Sequence, residues 1–404
     1  MIVEKQVPVV DLRKGMYIAR LDRPWTETPF LFQGFQITRA REIEILQDYC
    51  QHVFVDFHRT REIEYETAQP DDPDLVAPLP KPVEYYEDAC SAEVEMGTAQ
   101  KAMTRVSETV HQVIDNLRQG KSLNVLNTGQ AVEKLVSSML RNPDAMMLLQ
   151  QLQNVDEYAY SHSIGTSVLA VAFARHMGFS RRQIKFFAMG ALLLDIGKIK
   201  VSEELLKRPG RLSEEEFEVV KRHVAYGLEL LEGSKGISQV TLDVIACHHE
   251  RFDGSGYPHG LKGRHIPVHG RMAGIIDTYD AVTSERPYAE AMSPHEAIRR
   301  LYDLGGSDFQ KELVEQFIQC IGAYPTGTLV ELSTGEVGIV VAQNRVRRLR
   351  PTVMVIIGPD KSSLTEPVTL DLMQTSANEN GEQIDIAKAH PPGAFDIRPD
   401  EYYL

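Results

Sequence analysis

Five prolines fall between Glu64 and Glu84 (Pro70, Pro73, Pro78, Pro80 and Pro82), set among acidic residues with few apolar ones. No helix or central strand runs through such a stretch, because each proline removes a backbone donor and fixes its own φ. It reads as a semi-extended acidic linker over 63–90 that cuts the chain in two. At 404 residues there is length for two or three domains of roughly 150 residues, each with its own core.

Before the linker, residues 1–62 read as a small α+β domain. Val7–Val10, Met16–Leu21 and His52–Phe57 are rich in strand formers, and Arg39–Tyr49 carries helix-spaced Ile43 and Leu46. After it, 91–155 reads as a helical connector. Met103, Val106, Val110, Val113 and Leu117 form a 3-4-3-4 seam that is too short for a coiled coil, so an ordinary core face is favoured. The seam leaves room for a homodimer contact. Residues 156–325 read as a mainly α domain whose helix starts are well marked. Ser180 with Gln183 and Ser213 with Glu216 are capping boxes, and Ser293 with Glu296 adds Pro294 in the first turn. The segment 326–370 alternates as strands at Thr328–Leu332, Glu336–Ala342 and Val353–Ile357, which gives a β appendage. The polar tail 371–404, with Pro391-Pro392, reads as loosely ordered.

Composition narrows the function classes. A net charge of −14 argues against duplex nucleic acid as a partner, since phosphate neutralisation needs a basic surface. A small anionic ligand needs only a few local cations and stays open. Four dispersed cysteines without a CxxC pair read as reduced thiols. The first residues lack a secretion-signal layout, and no apolar run approaches the roughly 18 residues of a membrane span. The expectation is a cytoplasmic protein with no membrane contact.

The chemistry concentrates in the helical domain. His162, Asp195, His223, the pair His248-His249 and Asp277 each fall in or at the end of an expected helix. Singly, each is more often structural. Together, imidazoles and carboxylates suit borderline metals such as Mn, Fe or Zn, and a carboxylate can bridge two ions. Rival motifs fail. His248-His-Glu-Arg-Phe252 is not HExxH, Gly190 to Lys198 lacks P-loop spacing, and Gly254-Ser-Gly256 opens no helix after a strand.

Leu194-Asp195-Ile-Gly-Lys198, His248-His-Glu-Arg-Phe-Asp-Gly-Ser-Gly-Tyr-Pro258 and Asp277-Thr-Tyr-Asp-Ala-Val-Thr-Ser-Glu-Arg-Pro-Tyr288 closely resemble the HD-GYP domain of the HD superfamily. Its members are bacterial metal-dependent phosphodiesterases that hydrolyse cyclic di-GMP. The resemblance covers roughly 150–325. Leu12-Arg-Lys-Gly-Met-Tyr-Ile18 is also similar to a small domain often found upstream of such units. The resemblance implies two divalent ions, Fe, Mn or similar. It makes His162 and Asp277 ligands of the first ion, Asp195 the bridge, and His223, His248 and His249 ligands of the second. Lys198 and Arg286 match residues that hold substrate phosphates, with Asp195 and Lys198 as the catalytic pair. The Gly256-Tyr257-Pro258 turn would contact cyclic di-GMP or a signalling partner.

Four positions depart from the family pattern. Leu194 stands where the family has the histidine of its His-Asp pair, and an aliphatic side chain ligates no metal. Ala289-Glu290 replaces basic residues that assist substrate binding. Tyr158 replaces a glutamate that some members use for a third ion. Two functional readings follow. One is a cyclic di-GMP phosphodiesterase, giving linear dinucleotide or GMP, with one metal site weakened by Leu194. The other is a catalytically degenerate relative that binds cyclic di-GMP or a protein as a sensor or scaffold.

Overall fold

All three expected capping boxes form in the computed structural model. In each, the serine side chain accepts from the N3 backbone N–H and the N3 side chain accepts from the serine N–H, so two otherwise orphaned donors are satisfied. The structure describes residues 4–23, 25, 28, 30, 34–37, 40–56, 73–75, 77–152, 158–284, 291–345, 347–375, 377, 384–391 and 393–397.

The N-terminal unit is a four-stranded antiparallel sheet of β1 (Glu4–Pro8), β2 (Tyr17–Leu21), β3 (Phe35–Gln36) and β4 (His52–Asp56), in the order β1-β4-β2-β3. Helix α1 (Ala40–Tyr49) buries Leu46 beneath it.

The helical unit comprises α2 (Ala92–Arg118), α3 (Val125–Arg141), α4 (Pro143–Leu152), α5 (Tyr158–His176), α6 (Arg181–Leu193), α7 (Glu203–Leu206), α8 (Glu214–Lys221), α9 (His223–Leu231), α10 (Gln239–Cys247), α11 (Val268–Thr283), α12 (Pro294–Asp303) and α13 (Lys311–Ile321). Val168 to Ala174 of α5 are all buried, as expected for a helix that is apolar all round and lies at the centre of its domain. Residues 91–155 are no separate connector. Met103, Val106, Val110, Val113 and Leu117 are buried in one continuous core with α5, α6 and α11, so the short heptad seam is used within the chain. Glu95 of α2 is buried and accepts from Ser138 Oγ at 2.6 Å and from Arg141 Nε and Nη2 at 2.8 and 2.7 Å, which clamps α2 to α3.

Of the proline-rich segment, residues 73–75 and 77–90 are described. Residues 77–90 run extended along the helical unit, where Gly178 O accepts from Val83 and Glu84 N–H, and Phe179 O from Tyr86 Oη.

The C-terminal sheet is larger than the sequence suggests. Strands β5 (Leu329–Leu332), β6 (Val337–Ala342), β7 (Thr352–Ile357), β8 (Ser363–Asp371) and β9 (Ile386–His390) pair antiparallel in the order β8-β7-β6-β5-β9. The tail expected to be loosely ordered therefore supplies an edge strand, with Val330 opposite Ala389. Strands β6 and β7 are nearly all apolar because both of their faces are covered. Ile339, Met354 and Ile356 pack with Leu148 of α4. The alternate residues Val340, Val353 and Val355 share a cluster with Val53, Val55 and Trp25 of the N-terminal unit. Among the described residues no helix is long and apolar enough to cross a membrane.

Candidate metal centre

Two hydroxyls of α5 set the position of α6. Thr166 Oγ1 donates to Ala191 O at 3.0 Å and Ser167 Oγ to Ala188 O at 3.0 Å. Helix α6 then ends at Leu193, and Asp195, two residues on, faces His162 of α5. The turn at Ile196–Lys200 packs against the start of α9, where His223 is the first helical residue. A Cβ on Gly197 would lie 1.9 Å from His223 O, so only glycine allows this approach. His248 caps α10, His249 follows it, and Asp277 projects from the buried face of α11.

Six of the sequence-predicted ligands meet in two clusters that share Asp195. His162, Asp195 and Asp277 form one; Asp195, His223, His248 and His249 form the other, with the ligand atoms of each within 4.8 Å of one another. Asp195 gives one oxygen to each. Oδ1 lies 3.4 Å from His223 Nε2 and 3.8 Å from His248 Nε2, while Oδ2 lies 3.5 Å from His162 Nε2. His162 Nε2 is also 3.1 Å from Asp277 Oδ1.

The hydrogen bonds fix which atoms carry lone pairs. Carbonyl oxygens only accept, so His223 Nδ1 donates to Val220 O at 2.7 Å and His248 Nδ1 to Ile245 O at 3.0 Å. Both Nε2 atoms are left as acceptors, 3.4 Å apart. Asp195 Oδ1, facing them, is buried without a hydrogen-bond donor. Three converging lone-pair atoms with no proton between them are what a divalent cation relieves, and imidazole with carboxylate is a borderline-metal donor set. Burial, with Lys198 nearby, pushes the His223 imidazole down to about 4, and burial likewise lowers His248 and His249, so all three favour the neutral form, the one able to ligate a metal.

The other cluster is poised differently. Burial opposes protonation of His162, but hydrogen bonds to Asp277 and Asp280 outweigh it and hold the imidazole at about 10. Burial alone would raise the Asp195 carboxyl. Lys198 and the protonated His162 instead hold it well below the usual carboxylate range. Lys198 Nζ sits 2.5 Å from Asp195 Oδ2 and is about one-third exposed, at the site's solvent side.

The Gly256-Tyr257-Pro258 turn lies against the second cluster. Tyr257 stacks on His249 with ring centroids 4.6 Å apart, and Tyr257 N–H donates to His249 O. A Cβ on Gly256 would meet Arg251 N at 2.3 Å. Leu194 completes the last turn of α6 and is 1% exposed in the apolar core, so the position binds no metal and packs as a core residue. Arg286, Ala289 and Glu290 lie outside the described residues, as does the side chain of Tyr158.

Sequence reasoning missed two carboxylates. Asp280, 1% exposed, accepts from His162 Nδ1 at 2.7 Å and so aims Nε2 at Asp195 and Asp277. Its spacing of three from Asp277 puts both on one face of α11, which was the available signal. Glu250, also buried, accepts from His259 N–H at 2.8 Å and Leu261 N–H at 2.9 Å and so anchors the glycine-rich loop. Only its place after the histidine pair hinted at that.

Residues 4–128 match a domain of unknown function (DUF3391), 136–313 the HD domain, and 329–378 a KOW domain associated with HD domain. A cyclic di-GMP phosphodiesterase of Pseudomonas aeruginosa is 32% identical over 87% of this chain and 84% of its own length. A cyclic di-GMP phosphodiesterase response regulator of Xanthomonas campestris is 40% identical over 38% of this chain and 41% of its own. A 3′3′-cGAMP-specific phosphodiesterase of Vibrio cholerae is 33% identical over 43% of this chain and 34% of its own.

Proposed function

The chain belongs to the HD-GYP cyclic di-GMP phosphodiesterases of the HD superfamily, and on that premise we propose that it is a metal-dependent hydrolase opening a phosphodiester bond of cyclic di-GMP, to yield linear dinucleotide or GMP. The observation that carries this reading is the pair of donor clusters sharing Asp195, one oxygen to each, on which two ions would sit. His162, Asp195 and Asp277 would hold the first, and Asp195, His223, His248 and His249 the second. Bound divalent ions supply Lewis-acid stabilisation of the phosphoryl charge and lower the pKa of an attacking water.

The chain's own groups do the rest. Water adds to phosphorus, the bond to the 3′-oxygen breaks, and that oxygen leaves with a proton. Lys198, at the solvent side, donates to a phosphoryl oxygen whose charge grows in the transition state. Arg286 would hold the other phosphate. Tyr257, stacked on His249 and with Lys221 Nζ 5.4 Å from its ring, forms a wall for a base or for a signalling partner. Leu194 leaves the first cluster three protein donors against four in the second, so the first ion is held more weakly and turnover is reduced.

A second reading, a degenerate sensor or scaffold that binds cyclic di-GMP or a protein, draws on that same three-donor cluster. His162 can carry a proton between Asp277 and Asp280 in place of a metal. The two separate in one experiment. Protein loaded with Mn²⁺ or Fe²⁺ is assayed for metal content and for hydrolysis of cyclic di-GMP and 3′3′-cGAMP. We expect cyclic di-GMP to be cleaved, and Asp195→Asn to lose metal from both clusters and at least about 100-fold in rate. Turnover that survives chelation or Asp195→Asn overturns the proposal.

A further inference from the structure

We propose that the chain carries a second ligand site, for a small molecule bearing one phosphate or carboxylate group, in a cavity remote from the metal centre. The cavity has a volume of about 730 Å³ and none of the metal-centre residues lines it. It opens where the extended segment before α2 meets the ends of α4, α5 and α13 and the loop after β6. Ligand pockets of this size, roughly 300–1,000 Å³, favour such junctions between structural units.

Its lining holds three guanidinium groups and four carboxylates, of which Asp88 and Asp144 pair with arginines of the wall. Asp88 pairs with Arg175 at 2.8 Å and Arg345 at 3.2 Å, and Asp144 pairs with Arg345 at 2.8 Å. Asp144 is further used by Gln343 N–H and Thr326 Oγ1. Arg348 is left over. Its Nη1 is buried without a hydrogen-bond partner, and so is Arg175 Nε in the same wall; Gln343 Oε1, also unpartnered there, is an acceptor and calls for a donor group on the ligand beside its oxyanion. Buried donors of a charged group are normally satisfied, so unpaired guanidinium nitrogens around one cavity point to an acceptor that belongs there. A phosphate or carboxylate oxygen is that acceptor, and the guanidinium fork matches its geometry.

The charge count also limits the ligand. One cation beyond the paired set suits one oxyanion group. Glu84 and Glu87, exposed at the edge of the cavity, turn away a polyanion such as nucleic acid. Helix α5 supplies Arg175 here and His162 at the metal centre. The two sites are thus roughly 20 Å apart along one helix, at about 1.5 Å per residue.

The test is calorimetric titration of the metal-loaded full chain with three probes: inorganic phosphate, GMP and succinate. We expect at least one to bind, Arg348→Ala to weaken it by about tenfold or more, and Asp195→Asn to leave it unchanged. Arg348→Lys keeps the charge without the fork; it should fold as the parent and bind more weakly. Phosphate and GMP binding without succinate identifies a phosphate ligand, and succinate binding alone a carboxylate. The proposal is overturned if no probe binds, if both Arg348 variants bind as the parent does, or if binding disappears with Asp195→Asn.

Discussion

At the scale of single residues, the centre works through atoms whose roles are set by their hydrogen bonds. His223 and His248 each give Nδ1–H to a backbone carbonyl, which fixes the ring and frees Nε2. His162 gives Nδ1–H to Asp280. Asp280 is therefore a positioning residue, and outer-shell carboxylates of this kind are worth about 10–100-fold in metal affinity. Asp280→Asn should lower metal affinity by that order while Asp280→Glu recovers part of it, measured by competition with a chromophoric chelator. Unchanged affinity in Asp280→Asn would contradict the assignment. The two clusters of candidate ligands were legible in the sequence because six residues of the right type stood in a recognisable order. Asp280 was not, since a buried carboxylate that orients a ligand has no motif apart from its helical spacing.

At the scale of elements, what matters is how closely the pieces that carry ligands approach. Gly197 lets the turn after α6 rest on the first turn of α9, and its absent Cβ is what places His223 beside Asp195. Gly197→Ala should push the two apart, destabilise the fold by about 1–3 kcal/mol and weaken the His223 cluster. Thermal melts together with metal titration measure both; a variant with parental melting temperature and affinity would contradict the close approach. Helix starts were readable because capping is local, as at Ser180, Ser213 and Ser293. Strand β9 was not, because Ile386–His390 is short, half polar and finds its partner β5 more than fifty residues upstream. Pairings that distant leave no mark on the local pattern.

At the scale of the whole molecule, the C-terminal sheet lies between the helical unit and the N-terminal unit, and residues 77–90 of the Pro-rich segment are laid along the helices. Domain limits drawn from composition missed this because alternating apolar residues of β6 and β7 look the same whichever partner covers them. Buried histidines give the molecule a direction of acid response. His176 and His223 are lowered to about 4 by burial, and His248, His249 and His269 are lowered too. Unfolded, each takes up a proton near 6.5, so their contribution is complete above that pH and is lost as pH falls from about 6.5 toward 4. His162, raised to about 10, contributes in full below about 6.5 and loses its share as pH rises through about 10. The lowered groups outnumber it, so the chelator-treated protein should melt at a lower temperature at pH 5 than at pH 7. A constant or rising melting temperature toward pH 5 would contradict this. The central claim is that this chain cleaves cyclic di-GMP with metals gathered on Asp195, despite the leucine beside it. Its most direct test is the rate of cyclic di-GMP hydrolysis, with Mn²⁺ or Fe²⁺ supplied, for the chain and for Leu194→His side by side. The account predicts measurable, chelator-sensitive turnover in the chain itself and a faster rate in Leu194→His; turnover in neither, or in Leu194→His alone, would contradict it.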